Sequence, residues 1–500
     1  MEIHITREGN TPVYLQMKNC IKEKILQGEL VNGFKLPPER KLAEQLHVHR
    51  NTVIKVYAEL IRENLIAVSA APRGYVVTYE IPGISAKMKN KKAKYFTPFN
   101  YMVREEFLHM DSLFSNLYRD SLNGNVISFA ADIISPSVYP KKQLGEILND
   151  LVANDKYDLY GFCDPQGTEA LRASIVKLLA KRNIKAGKNE IQVVSESYAA
   201  MDNLIKLFVS PGDTIIAEEP IPIDTFHFFR LMGVKLVTVP MDKDGMRTDF
   251  LDGLVAKYNP KFIYTVPTFH FPSGITMSLE RRYELLDIAY KYNIPIVEED
   301  CDSILRYDGA AIPCLKAMDQ GENVIYVNSF IATVCPGVRV SYMVAPEKVV
   351  EKISRLVELN EMFVNSIGQY LVSEFLNRSC FEEHVSFLCR HFAGKRDLMC
   401  GELAGWKGRI EIDFDIPKGG TSLWCKLDQE INQHELLKQA YKRGVIFAPG
   451  HIFFPYGNQG ENLIRLCYGN ASDEEIREGI GLLAQAAEMS KNGGGIKCLY

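Results

Sequence analysis

From about Asn125 onward the chain alternates short apolar runs with helix-length stretches, and that alternation is its tightest constraint. The runs Ile191–Val194, Thr214–Ala217, Lys235–Val239, Phe262–Val266, Ile294–Val297 and Val324–Val327 read as buried strands. Between most of them lie amphipathic segments such as Glu169–Lys181, Tyr198–Val209 and Leu279–Tyr292. Such a pattern predicts a doubly wound α/β domain over residues 125–345. After about Pro346 a long helix, Val349–Asn377, leads into a smaller α+β subdomain ending near residue 490, and residues 491–500 read as a frayed tail.

Five hundred residues exceed what one core organises, so two or three domains are expected. A net charge of −4 confines any nucleic-acid contact to a patch. Eleven Cys without CxxC pairs or metal-ligand spacing fit reduced thiols in a cytoplasmic protein and predict no metal site. The start, MEIHITREGN, has no apolar core, and no stretch of some eighteen apolar residues occurs. Neither secretion nor membrane spanning is expected.

Residues 1–79 carry their own punctuation. Val13, Leu15, Ile21, Ile25 and Leu26 fall at helical spacing and stop at Gly28. A short helix, Glu39–Leu46, follows Leu36-Pro37-Pro38, and a third, Arg50–Glu63, turns Val53, Val56, Tyr57, Leu60 and Ile61 inward. LIAVSAAPRGYVVTY then reads as two strands joined at Ala71–Gly74. Pattern alone also permits a helical bundle that binds only protein. The text LPPERKLAEQLHVHRNTVIKVYAELIRENLI, however, resembles the GntR-type winged helix-turn-helix almost position for position.

That resemblance implies double-stranded operator DNA as a partner. His49, Arg50, Asn51 and Thr52 would meet base edges and phosphates at the N-terminus of the recognition helix. Arg50 can fork onto guanine and Asn51 can pair with adenine. Arg40, Thr52 and Arg73 at the wing tip suit phosphates. Two departures from the family text, Pro38 for a small Ser and His49 for Ser or Thr, fall at expected contacts. Residues 80–124 read as a linker. Lys87, Lys89, Lys91, Lys92 and Lys94 form a solvated basic tether rather than a DNA-binding arm, and Phe107–Leu122 forms a docking helix.

The segments DPQGTEALR, PGDTIIAEEP, FPSGITMSLERRYELLDIA and SILRYDGAAIPCLKAMD resemble the effector domain of MocR-type regulators, which is built like a fold-type I aminotransferase. In that family a Lys in the loop before the sequence PG forms the Schiff base with pyridoxal phosphate. Here NSFIATVCPGVRVSY puts Ala332 at that place, and a methyl group makes no imine. Glu299 stands for the Asp against the ring nitrogen, Cys301 for the Tyr that donates to the phenolate, and Pro222 for the stacking aromatic. The phosphate cup reads Ser195-Glu196-Ser197-Tyr198-Ala199, with a carboxylate where the family has Gly. Phe162 and Cys163 replace the Tyr-Gly that reaches a partner subunit's phosphate, and Phe269-His270 replaces His-Gln.

Two groups survive in the resemblance: Arg339, for the cofactor phosphate, and Arg465, for an amino acid's α-carboxylate. The plain alternative for each is a structural ion pair. Cys163, Cys301 and Cys335 fall on pocket motifs with His270, but no ligand spacing supports a thiol or metal site there. The expectation is a non-enzymatic, homodimeric transcriptional regulator with a vestigial cofactor cradle and a small-carboxylate or amino-acid effector. Covalent pyridoxal phosphate is not expected, and noncovalent binding at most. The rival readings are a regulator that holds the cofactor noncovalently and a working aminotransferase.

Overall fold

The computed structural model describes residues 3, 11–26, 29–70, 73–79, 112–153, 157–378, 380–406, 410–456 and 459–492. The chain divides into two compact units, Met1–His109 and Met110–Tyr500.

In the first unit, helix α1 (Val13–Leu26) buries Met17, Ile21 and Ile25, while Leu26 faces outward. The strand β1 (Lys35–Leu36) precedes α2 (Glu39–Gln45) and α3 (Arg50–Arg62). Val53, Val56, Tyr57 and Leu60 line the buried face of α3, at the spacing that places residues on one side of a helix. The Tyr57 hydroxyl donates to the Pro37 carbonyl at 2.8 Å, which ties α3 to the entrance of α2. Strands β2 (Ile66–Ala70) and β3 (Arg73–Val77) pair antiparallel, and β1 adds to β3 as a third strand that the sequence reading lacked. Residues 71–72 of the wing turn and the lysines at 87–94 lie outside the described residues.

The second unit opens with the helix Ser112–Asn123 and the strand β4 (Ile127–Phe129). The next eight strands form one sheet: β5 (Ile191–Val194), β6 (Thr214–Glu219), β7 (Lys235–Asp242), β8 (Gly245–Met246), β9 (Ile263–Thr265), β10 (Ile296–Glu299), β11 (Val324–Ser329) and β12 (Ser341–Val344). Their order is β5-β12-β11-β10-β9-β6-β7-β8. Strands β7, β6, β9, β10 and β11 run parallel, while β12 is antiparallel to both of its neighbours. Ile296 and Val324 enter one core and the adjacent Val297 and Ile325 the other, so helices cover both faces.

A second sheet is built from β13 (Ile412–Phe414), β14 (Ser422–Leu427), β15 (Val445–Pro449) and β16 (Leu463–Cys467), with β4 on its edge. Strand β4 pairs parallel with β15, so residues 127–129 pack with the C-terminal sheet rather than with the sheet that follows them in sequence. The expected long helix Val349–Asn377 is two helices, Glu347–Glu361 and Ser366–Asn377. The break has a local cause. Met362 takes a positive φ of 62°, and Asn365 caps the second helix by accepting from the Gly368 N–H at 3.2 Å. Gly368 also lies so close to the Val338 carbonyl that a Cβ there would clash. No described helix is long and apolar enough to cross a membrane.

Candidate functional site

At the start of α3, His49 occupies the capping position and its Nδ1 accepts from the Asn51 N–H at 3.3 Å. An imidazole thus does the work of the expected hydroxyl. Arg40, His49, Arg50 and Asn51 are exposed and Thr52 is half-buried, and His49 to Thr52 follow one another at the N-terminal end of α3. Arg73 begins β3, but its side chain lies outside the described residues.

Glu39 is the group that pattern reading missed. Arg50 donates to its Oε2 from Nη2 at 2.7 Å and from Nε at 3.2 Å, while the Tyr75 hydroxyl donates to Oε1 at 2.7 Å. These bonds, the Arg50 one foremost, hold the Glu39 carboxyl below its ordinary value. One carboxylate therefore presets the recognition-helix guanidinium and fastens it to the wing. Glu39→Gln is expected to cost under about 1 kcal/mol of stability, since the pair is partly exposed. The same change should raise affinity for random-sequence DNA severalfold, because a carboxylate beside phosphates is lost and Arg50 is released. Titration of both proteins with non-cognate duplex checks this; unchanged affinity would show that Glu39 stands clear of the DNA.

In the second unit, Glu299 ends β10 at the carboxyl edge of the parallel strands, where ligands of open α/β sheets bind. Both its oxygens are engaged within the chain. Tyr264 donates its hydroxyl to Oε2 at 2.6 Å and Cys301 its thiol to Oε1 at 3.6 Å. Burial, reinforced by Glu299 and its acidic neighbours, pushes the Cys301 thiol well up and keeps it protonated. Ala332 lies buried in the turn after β11 and joins the C-terminal core.

Glu196 precedes the helix Ser197–Phe208, flanked by Ser195 and Ser197, and makes no capping bond. Its carboxylate instead accepts a short hydrogen bond from Arg339 Nη1. Arg339 reaches it from a left-handed backbone, φ 52°, a conformation costing a side-chain-bearing residue roughly 1–2 kcal/mol. Burial raises the Glu196 carboxyl, and the Arg339 charge opposes that rise. Pro222 caps the helix Ile223–Leu231 without a side-chain bond, and Phe162 lies exposed, edge-on to Phe363 at 5.7 Å.

His270 sits in the interior. Its Nδ1 faces Ser273 Oγ at 2.8 Å, its Nε2 lies 3.4 Å from Glu218, and burial drives its pKa down to about 3. Burial lifts Glu218 to about 7, although Val266 N–H and Thr265 Oγ1 donate to it. Cys163, Cys301, Cys335 and His270 do not assemble into a ligand set. Cys163 contacts the Val364 carbonyl, and the described cysteines are free thiols.

Arg465 is the most unusual group. It stands on β16, fully buried, opposite Trp424 of β14 and Ala448 of β15. Nη2 donates to the Ala130 carbonyl at 2.5 Å, but Nε and Nη1 have no hydrogen-bond partner among the described residues. Phe271 lies 4.2 Å and Phe453 5.5 Å from the guanidinium carbon. Asp132 and Asp224 attract it through space only, and burial pulls its pKa below the ordinary guanidinium value.

Comparison with known proteins places this arrangement. Residues 122–483 match the family "Aminotransferase class I and II", and residues 13–74 match "Bacterial regulatory proteins, gntR family". The chain belongs to the class I and II aminotransferase family. Its front end is a GntR-type DNA-binding domain, the fusion of a MocR-type regulator. This aminotransferase-family chain is 26% identical to the uncharacterized HTH-type transcriptional regulator YisV of Bacillus subtilis, over 96% of its own length and 97% of that protein. It is also 26% identical to the probable rhizopine catabolism regulatory protein MocR of Rhizobium meliloti, covering 96% and 95%. Among solved structures, the multiple substrate aminotransferase of Thermococcus profundus aligns with a TM-score of 0.73 at 26% identity, over 79% of this chain and all of that one.

Proposed function

We propose that this protein is a homodimeric transcriptional regulator whose aminotransferase-family domain performs no transamination and senses a small carboxylate. The observation that carries the first half is the Arg339–Glu196 ion pair. In the resemblance Arg339 holds the cofactor phosphate; here a carboxylate of the chain itself occupies that guanidinium at the helix N-terminus. A bound phosphate would have to displace Glu196 and then lie beside it, like charge against like. The rest of the cradle agrees. Ala332 offers no amine, Glu299 is already bonded to Tyr264, and Cys301 is a poor substitute for a phenol. These residues do not fit pyridoxal phosphate.

The carboxylate half rests on Arg465, whose two unpartnered nitrogens form the fork that an anion fills bidentately. Two-fold symmetry in the dimer would then read paired half-sites. The test of inactivity is a spectrum. Titrating the purified natural chain with pyridoxal phosphate should give no saturable site-specific Schiff-base absorbance, and neither the natural chain nor Ala332→Lys should make keto acid from any amino acid. Keto-acid production by the natural chain would defeat the reading. A cofactor spectrum perturbed without imine formation would favour the noncovalent alternative, which retained Arg339 alone recommends.

A further inference from the structure

Two imidazoles and a carboxylate in the C-terminal part of the second unit are used by nothing described above. His434 lies in the first turn of the helix Gln433–Lys442, His451 in the helical turn Gly450–Phe453, and Glu461 just before β16. One ligand atom from each lies within 4.8 Å of the others, and the two rings are 4.8 Å apart at 46°. The three residues come from three separate segments, so spacing along the sequence gave no sign of them.

The orientation of His451 is set by a buried amide. Gln433 is 1% exposed, and its Nε2 donates to the Gly460 carbonyl at 3.1 Å and to the Leu463 carbonyl. Two acceptors on that side fix the NH₂ there, which turns Oε1 toward His451 Nδ1 at 2.6 Å. An amide oxygen only accepts, so Nδ1 carries the proton and Nε2 keeps its lone pair. Metal-binding imidazoles are held in this way, with the second ring N–H given to an oxygen of the protein. Two surface histidines that merely stacked would need no buried glutamine to fix a tautomer.

We infer that His434, His451 and Glu461 bind a divalent transition-metal cation such as zinc. Two imidazoles with one carboxylate suit zinc and its neighbours, whereas magnesium and calcium prefer oxygen throughout. His434 and Glu461 are exposed, so a cation enters from solvent and keeps water at an open position. His451 lies two residues before Phe453, which covers Arg465, and a bound cation braces that wall.

Cobalt(II) is the probe, because its visible spectrum reports its ligands. The full-length protein should take up one equivalent per chain with weak visible bands and without the intense near-ultraviolet band of thiolate ligation. His434→Ala and Glu461→Gln alter exposed side chains, and circular dichroism and DNA binding should be unchanged in both. Each should lower cobalt affinity by about tenfold or more. The site is refuted by absence of uptake, by thiolate bands, or by His434→Ala and Glu461→Gln binding as the natural chain does.

Discussion

Replacing Arg50 by alanine is expected to weaken binding to the cognate operator by about 1–3 kcal/mol, a factor of roughly 5–150. Arg50 opens α3, is exposed, and presents a planar fork that matches the two acceptors of guanine. Its ion pair with Glu39 fixes the guanidinium at the helix end before DNA arrives. Arg50→Lys should therefore rescue little, since an ammonium cannot make the paired contact. Arg40→Ala is the contrast. Arg40 is exposed one residue into α2, and a phosphate role there weakens all duplexes alike and lowers the salt dependence by about one unit of slope. Shift assays with cognate and random duplexes, each over a range of salt, distinguish the two. If Arg50→Ala loses the same factor on both duplexes, Arg50 holds the backbone and reads no base.

The DNA-binding unit was legible because its signals are local: prolines before α2, a periodic apolar face on α3, and two short strands. What escaped was contact at a distance. Strand β1 has two residues and no pattern, and Glu39 becomes important only when folding brings Arg50 and Tyr75 to it. In the second unit the parallel strands were readable as continuous apolar runs, since both faces are covered. The insertion of antiparallel β12 between β5 and β11 was not, because strand order depends on pairing rather than composition. The break at Met362 was hidden for a related reason: apolar residues run across it, yet Leu359 and Met362 are exposed. Ala332, Glu299 and Cys301 could be found from motifs alone. That Glu196 itself grips Arg339, and that Arg465 keeps two nitrogens unpartnered, follow from packing that no motif encodes.

Arg465 should prove a liability to stability that a ligand converts into an asset. A buried polar group left unsatisfied costs about 1–3 kcal/mol, more when charged, and among the described residues only Nη2 has a hydrogen-bond acceptor. Phe271 and Phe453 offset part of that cost through their ring faces. Arg465→Met would exchange the charge for a flexible apolar chain that suits the same aromatic walls. Without ligand, that variant is expected to melt at or above the natural chain, as when buried charges give way to apolar groups of similar size. With ligand the order reverses. A small carboxylate at a hundred times its dissociation constant adds about 2.7 kcal/mol to the natural chain and nothing to Arg465→Met. A screen of amino acids and keto acids by thermal shift measures both arms. If the variant melts far below the natural chain without ligand, and no carboxylate moves either protein, Arg465 is a structural residue and the domain senses nothing through it. If a carboxylate stabilises only the natural chain, the coupling to DNA becomes measurable. A differential of about 1–3 kcal/mol between two domain arrangements would change operator affinity by a factor of roughly 5–150, and operator DNA would change carboxylate affinity by the same factor.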